Sequence, residues 1–366
     1  MLRKSVKRAG GLITVVLLAG LTGCGADAWS WNYAIGAFLG ELEYLSRAVP
    51  IEQGLEDPEL TQEQKDRLEF VIRVRDYAES VIGLNVGDSF RQFVNLRGER
   101  LAWNLSASRK DALEPYLWNV PVAGEMPYLG FFKEAEALAE RDRLVAAGYD
   151  TFLYELDAFS TLGVMPDPVA STLLERPLPS LADTVVHELL HNTIWKTGHA
   201  VFNESLATFV GRTGSMEFLA FEFGQDSDLL AEAQQLHENS DRIDAFLKQL
   251  AAEVEALYAQ DIPSEDKIAQ REAIFEAARQ RFKTEVQPLL HNPEAYSGYG
   301  TLNYNNAFLL VNVRYNSELD LFADVYESTG RSWSASLEIF RQAAAASDPY
   351  AFLRTYLQTL AVPAAE

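Results

Sequence analysis

Apolar residues recur at helical spacing along most of the chain. Ile35, Phe38, Leu39, Leu42 and Leu45 mark one side of a helix over 32–48, and a second helix runs over 60–81, framed by Pro58 and Gly83. Between 89 and 132 the period shortens. Phe93-Val94-Asn95-Leu96, Leu101-Ala102-Trp103-Asn104-Leu105 and Leu117-Trp118-Asn119-Val120-Pro121-Val122 read as strands, with turns at Gly98-Glu99 and Gly124-Glu125. A helix over 133–147 and a strand over 150–156 follow. From 226 to 290 the chain turns rich in Ala, Glu, Leu, Gln and Lys. Leu229, Ala233 and Leu236, then Ile243, Phe246, Leu250, Val254 and Leu257, hold the helical period until Pro263 interrupts it. This predicts a helical hairpin, 227–258 against 264–286, packed on the core; the alternative is a partner-binding coiled coil. A last helix is predicted over 349–360.

The chemistry concentrates in His187-Glu188-Leu189-Leu190-His191, followed by Phe202-Asn203-Glu204-Ser205-Leu206-Ala207. On a helix, positions i and i+4 share a face with Cβ atoms roughly 5–6 Å apart, so His187 and His191 can each give one ring nitrogen to the same ion. Glu188 flanks that face and reaches a water without being a ligand. Glu204, returning on a second helix, is the third ligand. The set is what one catalytic zinc ion requires, namely three protein ligands, an open position for water and a base for that water. The helix is predicted to start at Ser180 as N-cap, with Asp183 closing a capping box; Asp183 serves equally well as a hydrogen-bond partner of His187. Gly198 marks the break, Asn203 the N-cap of the second helix, and small Ala207 a close approach of the two helices. His199 reads as a solvated loop residue and His237 as a surface one.

The N-terminus carries Arg3, Lys4, Lys7 and Arg8, then an apolar run over 12–21 too short for a membrane span, then Leu21-Thr22-Gly23-Cys24. This is the form of a lipoprotein signal peptide, with lipid attached to Cys24 after cleavage. Cys24 is the single cysteine, so no internal disulfide is possible. Gly25 in place of Asp predicts the periplasmic face of the outer membrane of a Gram-negative bacterium. Without the leader, 27 basic residues face 53 acidic ones, a net charge of −26. That argues against nucleic acid as a partner and against adsorption to anionic lipid, and leaves the Cys24 lipid as the membrane contact.

With these motifs in place, the chain resembles the bacterial putative aminopeptidase family of gluzincin-type lipoproteins. The likeness extends to Gly40-Glu41-Leu42 with Pro50-Ile51, Trp103-Asn104, Pro121-Val122-Ala123-Gly124 with Pro127-Tyr128-Leu129-Gly130-Phe131-Phe132, Ala158-Phe159-Ser160-Thr161-Leu162-Gly163, and Asn305-Asn306-Ala307 with Tyr315. The resemblance implies zinc ligation by His187, His191 and Glu204, with Glu188 as catalytic acid/base. The amine-binding G-x-M-E-N segment of the large gluzincin aminopeptidases has no counterpart here, which leaves exopeptidase and endopeptidase action both open. The expected fold is α+β and helix-rich, with a zincin-like metallopeptidase core, a small mixed sheet whose edge can take a peptide by strand addition, and the added hairpin. The expected organisation is a signal peptide over 1–23, a lipidated tether over 24–31, the α+β region with the zinc site over 32–225, the hairpin over 226–290 and a C-terminal helical region over 291–366.

The expected function is a zinc-dependent peptidase, an aminopeptidase first, which hydrolyses peptide bonds by metal-activated water with Glu188 as general base and is anchored as an envelope lipoprotein. Tyr315 is the candidate for stabilising the transition state, with Tyr304 and His291 behind it; packing is the competing role for each. The alternative function is a non-catalytic envelope lipoprotein, scaffold or chaperone-like, with a structural zinc site that would not need Glu188. A third reading keeps the chemistry and takes cell-wall stem peptides as substrate.

Overall fold

A computed structural model of the chain describes residues 28–121, 124–158 and 166–361. Cys24 and the leader, and residues 159–163, lie outside the described residues. The architecture is α+β and helix-rich, with short strands in three small sheets rather than one.

Helix α1 (Ala28–Ser46) leads into β1 (Val49–Pro50), a short α2 (Ile51–Leu55) and α3 (Gln62–Tyr77). Thr61 and Gln64 close a true capping box at the start of α3, and Gly83 ends its π-helical extension in a left-handed conformation (φ 85°) that favours glycine. Strands β2 (Gln92–Val94), β3 (Ala102–Ser108), β4 (Trp118–Val120), β5 (Gly124–Met126) and β6 (Leu129–Phe131) follow, then α4 (Glu134–Ala146), β7 (Asp150–Leu156) and β8 (Val169–Ala170). β2 pairs antiparallel with β1 and parallel with β8, β4 pairs with β5, and β3 lies between β6 and β7 with both pairings antiparallel.

The second half is helical. α5 (Leu178–His191) and α6 (Ala200–Phe223) are joined by a short loop, and the hairpin is α7 (Asp228–Tyr258) with α8 (Ser264–Arg281). Helices α9 (Asn306–Tyr315), α10 (Leu319–Ser328), α11 (Trp333–Ala345) and α12 (Pro349–Ala361) complete the chain. The largest apolar core surrounds α5 and α6. Val185, Val186, Leu189 and Leu190 of α5 and Leu206, Val210 and Leu219 of α6 are buried among residues of α3, α10 and α11. The hairpin builds its own core from Phe246, Leu250, Phe275 and Phe282 and carries it onto α9 through Tyr304 and Phe308.

Helix α9 packs on β3 and β7 on one side and on α6 on the other, so the β6–β3–β7 sheet reaches the α5–α6 pair through α9. Part of the β6 edge is covered by α1, since Tyr33 Oη donates to the Gly130 carbonyl (2.9 Å). An exposed strand edge is a liability, and a covering helix removes it.

Both expected helix caps were misplaced. α5 begins two residues ahead of Ser180, at Leu178 after Pro177, with Pro179 in its first turn. A proline is favoured there because the first-turn N–H groups have no intrahelical partner. Ser180 therefore lies inside the helix, where its carbonyl accepts from Thr184 Oγ1 (2.9 Å). α6 begins at Ala200 with His199 at the N-cap and no side-chain cap, so Asn203 also lies inside.

Candidate metal centre

Two features hold α5 and α6 together at the site. Ala207 and Gly211 of α6 lie one turn apart; Ala207 is fully buried, and Gly211 faces α5 directly. A Cβ at Gly211 would press into the Asp183 carboxylate and come within 3.2 Å of His187 Cβ. The loop between the helices is closed by Asn203, whose Oδ1 accepts from Lys196 N–H and whose Nδ2 donates to the Lys196 carbonyl, both at 2.9 Å. Gly198, at φ 79°, makes the turn.

This packing gathers His187, His191 and Glu204 into one cluster, with a ligand atom of each within 4.8 Å of the others. Glu204 Oε2 lies 3.3 Å from His187 Nε2 and 3.6 Å from His191 Nε2. The two imidazoles stand nearly perpendicular, 87° between planes with centroids 5.0 Å apart. Trp195 packs edge-on against His191. Ligands at roughly 2.0–2.2 Å around a tetrahedral zinc ion are about 3.3–3.6 Å from one another. The two distances to Glu204 match that spacing, so these three residues could hold a metal ion, and the donor set suits zinc. Glu188 is half-buried on the flank of the cluster, and His187 also keeps an open face, whereas His191 and Glu204 are buried.

The electrostatics follow from this geometry. Burial alone would raise the Glu204 carboxyl, but the two imidazoles outweigh it and hold the group well below the usual carboxylate range. Burial opposes charge on His187, yet the carboxylates of Glu204, Glu188 and Asp183 overcome it and raise the pKa. Burial pushes the Glu188 carboxyl up against the pull of His187 and His191. The cluster therefore draws positive charge into its centre. That is the sign of charge a metal cation would bring.

The other expected residues are distributed differently. Asp183 lies between α5, Gly211 and His237, whose Nε2 is 3.6 Å from its carboxylate. His237 is thus a neighbour of the site's supporting layer instead of a plain surface residue. His199 is outside the ligand cluster. Tyr304 is buried in the hairpin core and donates to the Tyr299 carbonyl (2.7 Å), and His291 pairs with Glu238 (2.9 Å) on the hairpin, so both take structural roles. Tyr315 is the last residue of α9, and its side chain lies outside the described residues.

Among the described residues, a phenol near the site is Tyr128, on the link between β5 and β6. Burial raises its hydroxyl pKa, and the charges of Glu204 and Glu188 raise it further. Arg314 from the end of α9 lies over its ring, 4.7 Å from the centroid. Neither residue follows from spacing, because each reaches the site through a sheet and a helix far along the chain. Their one sequence signal was the Pro127-Tyr128-Leu129-Gly130 segment of the family resemblance.

The family model described as "Putative aminopeptidase" matches residues 32–350. No curated protein and no solved structure matches the chain.

Proposed function

The chain belongs to the putative aminopeptidase family, and from that premise we propose that it is a zinc-dependent peptidase, an aminopeptidase first. The observation that carries the metal reading is the spacing of the three ligand atoms, delivered by two helices locked together at Gly211, with the Glu188 carboxylate beside them. His187, His191 and Glu204 hold the zinc ion, which when bound supplies a Lewis acid to the scissile carbonyl and makes water acidic enough to ionise near neutral pH.

The protein side chains do the rest. Glu188 accepts a proton from the attacking water and returns it to the departing amine, a role that needs a carboxylate beside the ligand face. The buried layer of Val186, Leu189 and Leu190 behind the imidazoles fixes their helix, so the two rings approach the ion from one rigid face. Asp183 adds negative charge next to His187 and favours the ring as a donor to the ion. The N-terminal leader over 1–23, followed by Cys24, supports attachment by lipid to the periplasmic face of the outer membrane.

The test is Glu188→Gln. The variant is expected to keep the zinc content of the wild type and to lose turnover of unblocked peptides by about 10²–10⁴-fold, the usual range for a general base. Turnover at the wild-type rate would remove Glu188 from the mechanism. Running unblocked peptides beside N-acetylated peptides and muropeptides separates an aminopeptidase from an endopeptidase and from a cell-wall hydrolase. A zinc-loaded wild type that cleaves none of them would favour the non-catalytic lipoprotein. Cys24→Ser is expected to move the protein from the membrane fraction to the soluble periplasm.

A further inference from the structure

Three arginines are buried among the described residues, and only two of them are satisfied. Arg75 donates to the Ser89 and Gly87 carbonyls and pairs with Asp76 and Glu79. Arg271 forms a two-point pair with Asp150 and donates to the Lys110 carbonyl. Arg314, 4 % exposed, has no carboxylate partner among the described residues; the one hydrogen bond of its side chain to them is a long one from Nη2 to the Pro127 carbonyl (3.4 Å), and its Nη1 has no partner. An ionised guanidinium taken out of water with a free donor carries a cost of several kcal/mol unless something pairs with it.

Its place in the fold says what that partner is for. The α9 backbone is pinned one residue from Glu204, because Ser205 Oγ donates to the Arg314 carbonyl (3.0 Å) and accepts from the Ser317 N–H (3.1 Å). The guanidinium carbon lies 4.7 Å from the centroid of the Tyr128 ring, and Tyr128 also feels the charges of Glu204 and Glu188. Tyr128, His187 and Glu188 are each partly exposed, whereas Arg314, against the Tyr128 ring, is buried.

We propose that Arg314 is the anchor for a carboxylate of the substrate, with Tyr128 as the flat support that aims its free Nη1. The identity of the ligand rests on the peptidase reading. The carboxylate is either the free C-terminus of a short peptide or an acidic side chain placed at the same distance, since a guanidinium recognises both by the same two-oxygen geometry.

The test uses the full-length chain as Glu188→Gln, zinc-loaded, so that peptides bind without turnover. Tri-alanine, tri-alanine amide and Ala-Ala-Asp amide are titrated by calorimetry. The free acid is expected to bind at least tenfold more tightly than tri-alanine amide. Tight binding of the aspartyl amide as well assigns the acidic side chain as a second source. In Glu188→Gln/Arg314→Met the preference should vanish while tri-alanine amide binds as before, and Arg314→Lys should keep part of it. Because Arg314→Met removes an unpaired buried charge, its thermal midpoint should equal or exceed that of its parent. Equal binding of all three peptides, binding of none, a preference that survives Arg314→Met, or a midpoint lowered by that change would each overturn the proposal. Failure of the peptidase reading shows separately, as wild-type protein that binds these peptides and cleaves none.

Discussion

Helix α9 joins two buried polar clusters that are built on opposite plans. At its start, Asp150 receives both Nη atoms of Arg271 (2.6 and 3.0 Å) and the Asn306 N–H (3.0 Å). Asn306 Nδ2 donates to the carbonyls of Arg109 and Ala112, and its Oδ1 accepts from Tyr258 Oη. This cluster has charges in balance and donors matched to acceptors, and it fastens the hairpin to the sheet. At the other end of the helix, Arg314 has no carboxylate partner among the described residues, and Glu204, Glu188 and Asp183 lie close to the two imidazoles. The first cluster is closed and structural. The second leaves its charges incomplete, and such strain persists where a ligand is meant to complete it.

The contrast predicts different responses to mutation. The largest effect is expected at the open cluster. Glu188→Gln should reduce kcat by about 10²–10⁴-fold with little change in the denaturation midpoint, read by steady-state kinetics beside urea titration. Asp150→Ala should do the reverse. Removing one partner of a buried pair leaves Arg271 uncompensated and should lower stability by about 3–5 kcal/mol, while zinc binding per folded molecule is unchanged. Equal losses of stability in both variants would erase the distinction between the clusters.

Gly211→Ala probes the close approach of α5 and α6. The added methyl meets the Asp183 backbone carbonyl at 3.0 Å and His187 Cβ at 3.2 Å. It should destabilise by about 1–3 kcal/mol and weaken zinc affinity, measured by competition with a chelator. The smallest effect concerns Glu41 on α1, whose carboxyl is pushed up to about 7 by burial and by the nearby charge of Asp167. A folded-state pKa above the unfolded value of 4.5 means that the native state binds the extra proton. Stability should therefore fall as pH rises from about 4.5 to about 7 and then level off. Glu41→Gln should match the wild type at pH 4 and exceed it at pH 8, by on the order of 1 kcal/mol given the partial solvent contact of the side chain. A constant difference across that range would assign the effect to packing.

Much of this arrangement was legible in the residues themselves. The i, i+4 spacing of His187 and His191, the return of Glu204 and the small Ala207 are local facts, and each leads to its observed place. The strand over 150–156 and the two helices of the hairpin were also readable, because alternation and helical period are properties of short windows. The helix caps were not. Ser180 and Asn203 are good capping residues, but Pro177 sets an earlier start for α5, and Asn203 is taken up in holding Lys196. Long-range placement was the harder loss. Tyr304 and His291 carry suitable chemistry, but the hairpin core and Glu238 claim them. Tyr128 and Arg314 gave no periodic signal, since a sheet register and the packing of α9 on α6 bring them together.

The central claim is a cation held jointly by His187, His191 and Glu204. Anomalous diffraction at the zinc edge, from crystals of zinc-loaded protein, tests it most directly. The account predicts one strong peak bonded to Nε2 of both histidines and to a Glu204 oxygen, with no fourth side chain bound, and loss of that peak in Glu204→Ala. A peak remote from Glu204, or one enclosed by four protein ligands, would contradict it.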